Sequence, residues 1–188
     1  MRKTLASIAQ DWSLFLDRDG VINVRPVGDY VKSPEDFVFL PGVPEAIAQF
    51  NKLFARTVVV TNQQGIAKGL MTEKALEEVH AHMHKQLALH HARIEAVYFC
   101  PFLASANNPY RKPGVGMGLA ARKQFPTIEF GKSVMVGDSI SDMQFGKRLG
   151  MLTVFIADTP KEARKYPKLI DYTFSSLKAL AGALEGVH

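Results

Sequence analysis

The sequence predicts an α/β protein built as a doubly wound parallel sheet, and three of its features carry that prediction. Short continuous apolar runs recur along the chain, each bounded by turn residues, as strands buried on both faces of a parallel sheet require. Segments of helical spacing separate these runs, so strand and helix alternate from end to end. Several runs close on polar or charged residues, and the carboxyl edge of an open α/β sheet is where ligands bind.

Met1–Asp11 places Arg2 and Lys3 ahead of Leu5-Ala6-Ser7-Ile8-Ala9. Gln10 and Asp11 end that patch too soon for a signal-peptide core, so it reads as a short leader. Ser13–Leu16 is the first strand and stops at Asp17-Arg18-Asp19-Gly20. Val21–Leu40 is polar and irregular, broken by Pro26, Gly28 and Pro34, and its length marks it as a functional loop. Pro41-Gly42-Val43-Pro44 opens a helix through about Phe54, with Pro44 suited to a first turn. Thr57–Val60 is a second strand, ending in Thr61-Asn62-Gln63-Gln64-Gly65. Thr72 caps a helix to about His91, and Glu95–Cys100 is the third strand. A loop leads to Arg111-Lys112-Pro113-Gly114, then a helix from about Gly116 to Phe125. Ser133–Val136 is a fourth strand closing on Gly137-Asp138-Ser139, with a helix to Leu149. Leu152–Ile156 is the fifth, Asp171–Phe174 a short edge strand, and Ser176–Leu184 the last helix. No repeat or linker interrupts the pattern, and residues 1–188 suit one domain.

The apolar stretches fall far short of a membrane span, so no membrane partner is expected and the protein reads as cytoplasmic. A net charge of +5 favours anionic partners. Its Lys and Arg residues are dispersed, which favours a phosphorylated small molecule over nucleic acid. Cys100 is the only cysteine, so no intrachain disulfide forms. A monomer or weak homodimer is expected.

Asp17 and Asp19 are two residues apart in an extended segment and point to one side. Carboxylates clustered at a dry strand end repel, and a divalent cation is the usual remedy. The alternative is a turn whose Asp side chains only cap backbone donors. Three further polar clusters end or follow strands: Thr61/Asn62, Arg111/Lys112 and Asp138/Asp142. Arg111 has the geometry to hold a phosphate bidentately, and Pro113 holds Lys112 out of the helical region.

With Asp-x-Asp-Gly at 17–20, Thr61, Lys112 and Gly-Asp-x-x-x-Asp at 137–142, the chain resembles the haloacid dehalogenase-like phosphohydrolases over about residues 13–175. Phe15–Asn23, Thr61–Ala67 and Arg111-Lys112-Pro113 look like the branch of heptose-bisphosphate and histidinol-phosphate phosphatases, and Arg18 and Tyr30-Val31 favour the heptose side. The resemblance implies Asp17 as nucleophile, Asp19 as acid and base, and Mg²⁺ on the Asp17 carboxylate, the Asp19 carbonyl and Asp138. It implies phosphate contacts from Thr61 and Lys112, with Asn62 and Gln63 beside the substrate. The intervals between motifs leave no room for a cap domain, so selectivity falls to Val24–Phe39 and Pro101–Tyr110, with Arg25, Tyr30 and Arg111 as recognition residues.

Asp142 has two readings, metal support or the acid of a capping box with Ser139. Ser139 stands where some relatives carry Lys. His80, His82, His84, His90 and His91 read as a solvated helix face. Cys100-Pro101 looks like the start of the zinc loop of many heptose phosphatases, but Phe102 and Ala106–Tyr110 offer no further ligand, so no zinc is expected. The expected function is a Mg²⁺-dependent heptose 1,7-bisphosphate 7-phosphatase, with histidinol phosphate as the alternative substrate. A nucleic-acid-end-binding module is the competitor from another class, set against by the lack of a row of stacking aromatics. A catalytically silent domain is disfavoured by the intact Asp17, Asp19, Thr61, Lys112 and Asp138.

Overall fold

Leu14 and Leu16 project from one side of the first strand and Phe15 from the other, and this alternation divides the core into two layers. The computed structural model describes residues 4–186. Its strands are β1 (Ser13–Leu16), β2 (Arg56–Asn62), β3 (Ala96–Cys100), β4 (Ser133–Gly137), β5 (Leu152–Ile156) and β6 (Tyr172–Phe174). They pair in parallel in the order β3-β2-β1-β4-β5-β6. The chain builds outward from β1 to β3, then returns to β4 on the other flank of β1. That reversal puts the topological switch point at β1, where ligands of open α/β sheets bind.

The helices are α1 (Val43–Leu53), α2 (Glu73–Leu89), α3 (Gly116–Gln124), α4 (Ile140–Leu149), α5 (Lys161–Lys165) and α6 (Leu177–Glu185). Ile47 and Phe50 of α1, Met83 and Leu87 of α2, and Leu180 and Leu184 of α6 pack with Leu14, Leu16, Val59 and Val136. Met117 and Ala121 of α3 and Phe145 of α4 pack with Phe15, Val58, Val60 and Met135. Apolar residues on both faces are what the strands needed to be continuous hydrophobic runs. Thr72 caps α2, its hydroxyl accepting from the Ala75 amide at 3.0 Å.

β2 runs two residues past the expected end, so Thr61 and Asn62 are strand residues, paired with Phe99 and Cys100. The five-residue α5 was not expected; none of its residues is buried, so it leaves no apolar stripe to read. The loop expected to be irregular folds back on itself. The Val24 amide donates to the Val38 carbonyl at 2.8 Å and the Leu40 amide to the Ile22 carbonyl at 3.0 Å, over buried Val31 and Phe37. Between β1 and β2 the chain holds only this loop and α1, with no inserted cap. No described helix is long and apolar enough to cross a membrane.

Candidate active site

Asp17 is the first residue past β1, and its amide donates to the Val136 carbonyl of β4, which fixes it at the switch point. Lys112 arrives from the loop before α3 and is buried. Its Nζ lies 2.8 Å from Asp17 Oδ1, 2.6 Å from Asp142 Oδ1 and 2.6 Å from the Val60 carbonyl. Asn62 holds the Lys112 backbone at both ends: its Oδ1 accepts from the Lys112 amide at 3.0 Å and its Nδ2 donates to the Lys112 carbonyl at 3.2 Å. Burial pushes the Asp17 carboxyl up to about 7; the Lys112 charge opposes this, while Asp142 and Asp138 add to it. Lys112 is pulled down by burial, but the two carboxylates outweigh that and hold its ammonium above the usual range.

Of the two readings of Asp142, the structure shows the capping box, and it also places the side chain beside the other carboxylates. Its Oδ2 accepts from the Ser139 amide at 3.1 Å and the Ser139 hydroxyl at 2.6 Å, closing the capping box of α4. Its other oxygen faces Lys112, and oxygens of Asp17, Asp138 and Asp142 lie within 4.8 Å of one another.

The fit of this edge to a cation can be tested directly, because a positive charge of the chain itself sits there. Nη2 of Arg25 donates to the Asp19 carbonyl at 2.8 Å and to Asp138 Oδ1 at 2.9 Å, and lies 3.8 Å from Asp17 Oδ2. One cationic nitrogen is thus gathered by the three oxygens that the resemblance assigns to Mg²⁺. An all-oxygen set of this kind suits a hard divalent ion. Arg25 is half-exposed, so it can leave. Burial raises Asp138 to about 6 against the opposing charge of Arg25.

Gly20 makes this approach possible. Its φ is +89°, and a Cβ there would overlap the Asp138 carboxylate. Gly20→Ala is therefore expected to cost about 3 kcal/mol of stability through the left-handed backbone and the displaced carboxylate. Titration calorimetry should show weaker Mg²⁺ binding with it, and unchanged affinity would contradict this account of Gly20.

Asp19 is clamped by three side chains. Arg18 Nη2 reaches its Oδ1 and Oδ2 at 3.0 and 3.1 Å, Asn23 Nδ2 reaches Oδ1 at 2.9 Å, and Gln63 Nε2 reaches Oδ2 at 2.7 Å. Burial alone would raise this carboxyl, but the Arg18 charge and these bonds outweigh it and hold Asp19 below the usual carboxylate range. Gln63 requires a correction. It is fully buried, and its Nε2 also donates to Thr61 Oγ1 at 2.9 Å, so it braces two site residues and does not face the substrate cleft. Gln64 beside it lines the cleft.

That cleft has a volume of about 500 Å³ and takes in Asp17, Asp19, Thr61, Arg25, Tyr30 and Arg111. Tyr30 lies across Gly65, where a Cβ would come within 3.0 Å of its ring, and the Lys68 ammonium lies 5.4 Å from the ring centroid. Arg111 donates to the Phe102 carbonyl at 3.3 Å, which ties it to the 101–110 loop. Lys68 was missed in the sequence; its position just past β2, between Gly65 and Gly69, was the available signal. Cys100 ends β3 fully buried, and burial raises its thiol pKa.

The histidines also require a correction. His90 and His91 are exposed, but His82 and His84 are partly buried, and His80 is buried with its Nε2 3.1 Å from Arg18 Nη1. Burial, then the nearby Arg18 charge, push the His80 ring down to about 3, so it is neutral.

Carboxylates and a buried lysine at the carboxyl edge of a six-stranded parallel sheet define a haloacid dehalogenase-like phosphohydrolase. The chain belongs to the polynucleotide kinase 3 phosphatase family, whose model matches residues 13–176. It is 36% identical over 173 residues to a D-glycero-alpha-D-manno-heptose-1,7-bisphosphate 7-phosphatase of Mycobacterium bovis, covering 92% of this chain and 91% of that protein. A D-glycero-beta-D-manno-heptose-1,7-bisphosphate 7-phosphatase of Photorhabdus laumondii is 33% identical, covering 93% and 96%. Among solved structures, D,D-heptose 1,7-bisphosphate phosphatase from B. bronchiseptica, complexed with magnesium and phosphate, superposes with a TM-score of 0.84 at 28% identity, covering 94% of this chain and 99% of that one.

Proposed function

We propose that this protein removes the 7-phosphate of D-glycero-D-manno-heptose 1,7-bisphosphate, by transfer of the phosphoryl group to Asp17 and hydrolysis of the aspartyl-phosphate. The observation that carries the substrate is kinship over nine-tenths of the chain with phosphatases named for that bisphosphate. Splitting a slow monoester hydrolysis into two transfers lowers each barrier. Asp17 attacks phosphorus, and the bond to the sugar oxygen breaks. Asp19 gives that oxygen a proton and takes one back from the water that attacks the aspartyl-phosphate. The clamp on Asp19 suits it to the second role; the negative charge of an arriving phosphate opposes its low pKa and favours the first. Thr61 and Lys112 meet the phosphoryl oxygens, with Lys112 already seated against Asp17. When bound, Mg²⁺ would be held by the Asp17 carboxylate, the Asp19 carbonyl and Asp138, and would reduce the repulsion between nucleophile and phosphate. The same reading takes the chain as one cytoplasmic domain, monomeric or weakly dimeric, without zinc: the 101–110 loop adds no Cys or His to Cys100.

Phosphate release across a panel tests the substrate. The heptose bisphosphate is expected to give a kcat/KM at least about tenfold above histidinol phosphate, the scale on which contacts to a substrate group discriminate. Both anomers belong in the panel, because the alpha and beta forms each appear among the relatives. A 3′-phosphorylated oligonucleotide belongs there too, because the family description concerns polynucleotide phosphatases. Faster release from either rival would overturn the heptose assignment.

A further inference from the structure

Arg18 heads the fully buried side chains by size, and the phosphoryl transfer just described does not use it. A guanidinium out of contact with water must find acceptors for its N–H groups, and it can accept nothing itself. Nε and Nη2 form a fork on Asp19, with Nε 3.3 Å and Nη2 3.0 Å from Oδ1. Nη1 points the other way and ends 3.1 Å from Nε2 of His80, on α2. Because Arg18 only donates, Nε2 accepts, and the ring carries its proton on Nδ1. The ring is itself held in place by the Phe99 ring, centroids 6.4 Å apart, and by its position on the buried stripe of Leu76, Val79 and Met83.

We propose that His80 is a positioning residue for Asp19, acting through Arg18: it anchors the outer nitrogen of the guanidinium so that the fork holds the carboxylate in line with the substrate oxygen. The inference rests on Asp19 as the acid and base of the reaction. Asp19 Oδ1 is shared between Arg18 and Asn23, and Oδ2 between Arg18 and Gln63. A guanidinium without its His80 partner turns to find another acceptor for Nη1 and carries the fork with it, so the carboxylate is turned away from the direction in which it must pass a proton.

Three substitutions separate this role from a merely structural one. His80→Leu fills the space without an acceptor, His80→Asn carries an acceptor too short to reach Nη1, and His80→Gln places an amide oxygen near the site of Nε2. For His80→Leu and His80→Asn, kcat is expected to fall about tenfold, as small misplacements of a catalytic group do. KM and the Mg²⁺ dissociation constant from calorimetry are expected to stay within about twofold, and His80→Gln to recover kcat to within about threefold of the parent. If circular dichroism shows His80→Leu unfolded, His80→Asn carries the comparison. Unchanged kcat in the folded variants would overturn the proposal, as would equal losses in all three, or losses in which KM and metal affinity move with kcat. Asp19→Asn is measured alongside. If it retains full turnover, the acid–base reading itself fails; if it is inactive while His80→Asn is unaffected, only the role of His80 fails.

Discussion

Asp17→Asn is expected to lower kcat by at least about 10⁴-fold, the scale on which loss of a covalent nucleophile is felt in other hydrolases. The amide keeps the shape of the side chain and its place beside Lys112, but it lacks the anionic oxygen that must bond to phosphorus. Acid-quenched wild-type enzyme should gain the mass of one phosphoryl group during turnover, and the variant none. The same change is expected to stabilise the metal-free protein at pH 8. Asp17 is a buried carboxylate facing Asp138 and Asp142, and the one buried cation paired with it among the described residues, Lys112, is shared with Asp142. Higher stability with lost turnover is the signature of a site held under electrostatic strain for function. A variant whose turnover stays within tenfold of the parent would remove Asp17 as nucleophile.

What the sequence made legible were the strand ends. Leu14-Phe15-Leu16 stopping at Asp17, Val58-Val59-Val60 stopping at Thr61, and Val134-Met135-Val136 stopping near Asp138 mark three parallel strands at their carboxyl edges. The structure brings these three ends together on adjacent strands. The contacts between segments were not legible. Arg25 and Asp138 are 113 residues apart in the chain, and no local pattern says that a loop guanidinium reaches across the switch point. Two misplacements were avoidable. Thr61 and Gln63 are two apart in extended chain, so the period-two rule already put the Gln63 amide beside the Thr61 hydroxyl, where the two can bond. His80 falls in helical register with Leu76, Val79, Met83 and Leu87, which makes it part of the apolar stripe of α2 and not of its solvated face. Reading the five histidines as one group hid that register.

Asp138→Asn is expected to reverse its effect on stability according to the metal and the pH. In the folded, metal-free protein burial raises the Asp138 carboxyl from 3.8 to about 6. Between those values the folded state therefore holds a proton that the unfolded state has released, and wild-type stability falls as pH rises through this window. The variant has no such proton to lose, so in EDTA it should match wild type near pH 4 and exceed it by on the order of 3 kcal/mol above pH 7, from two pKa units at 1.36 kcal/mol each. The comparison must be between the two proteins and not along one curve. His80, lowered to about 3, contributes the opposite slope between there and its ordinary 6.5, and it does so equally in both. Asp19 and Asp171, both lowered, withdraw their contributions only as pH falls below the ordinary carboxylate range. Adding Mg²⁺ removes the reason for the burden, because a divalent charge favours the carboxylate that burial disfavours. Wild type should then gain stability at pH 7–8 while Asp138→Asn gains little, and the order of the two proteins in urea denaturation should invert. The Arg25 guanidinium partly fills this need when metal is absent, yet it leaves Asp138 well above its ordinary value. Arg25 and Lys112 set two positive charges against three clustered carboxylates, and the imbalance left is one that a bound divalent ion would offset.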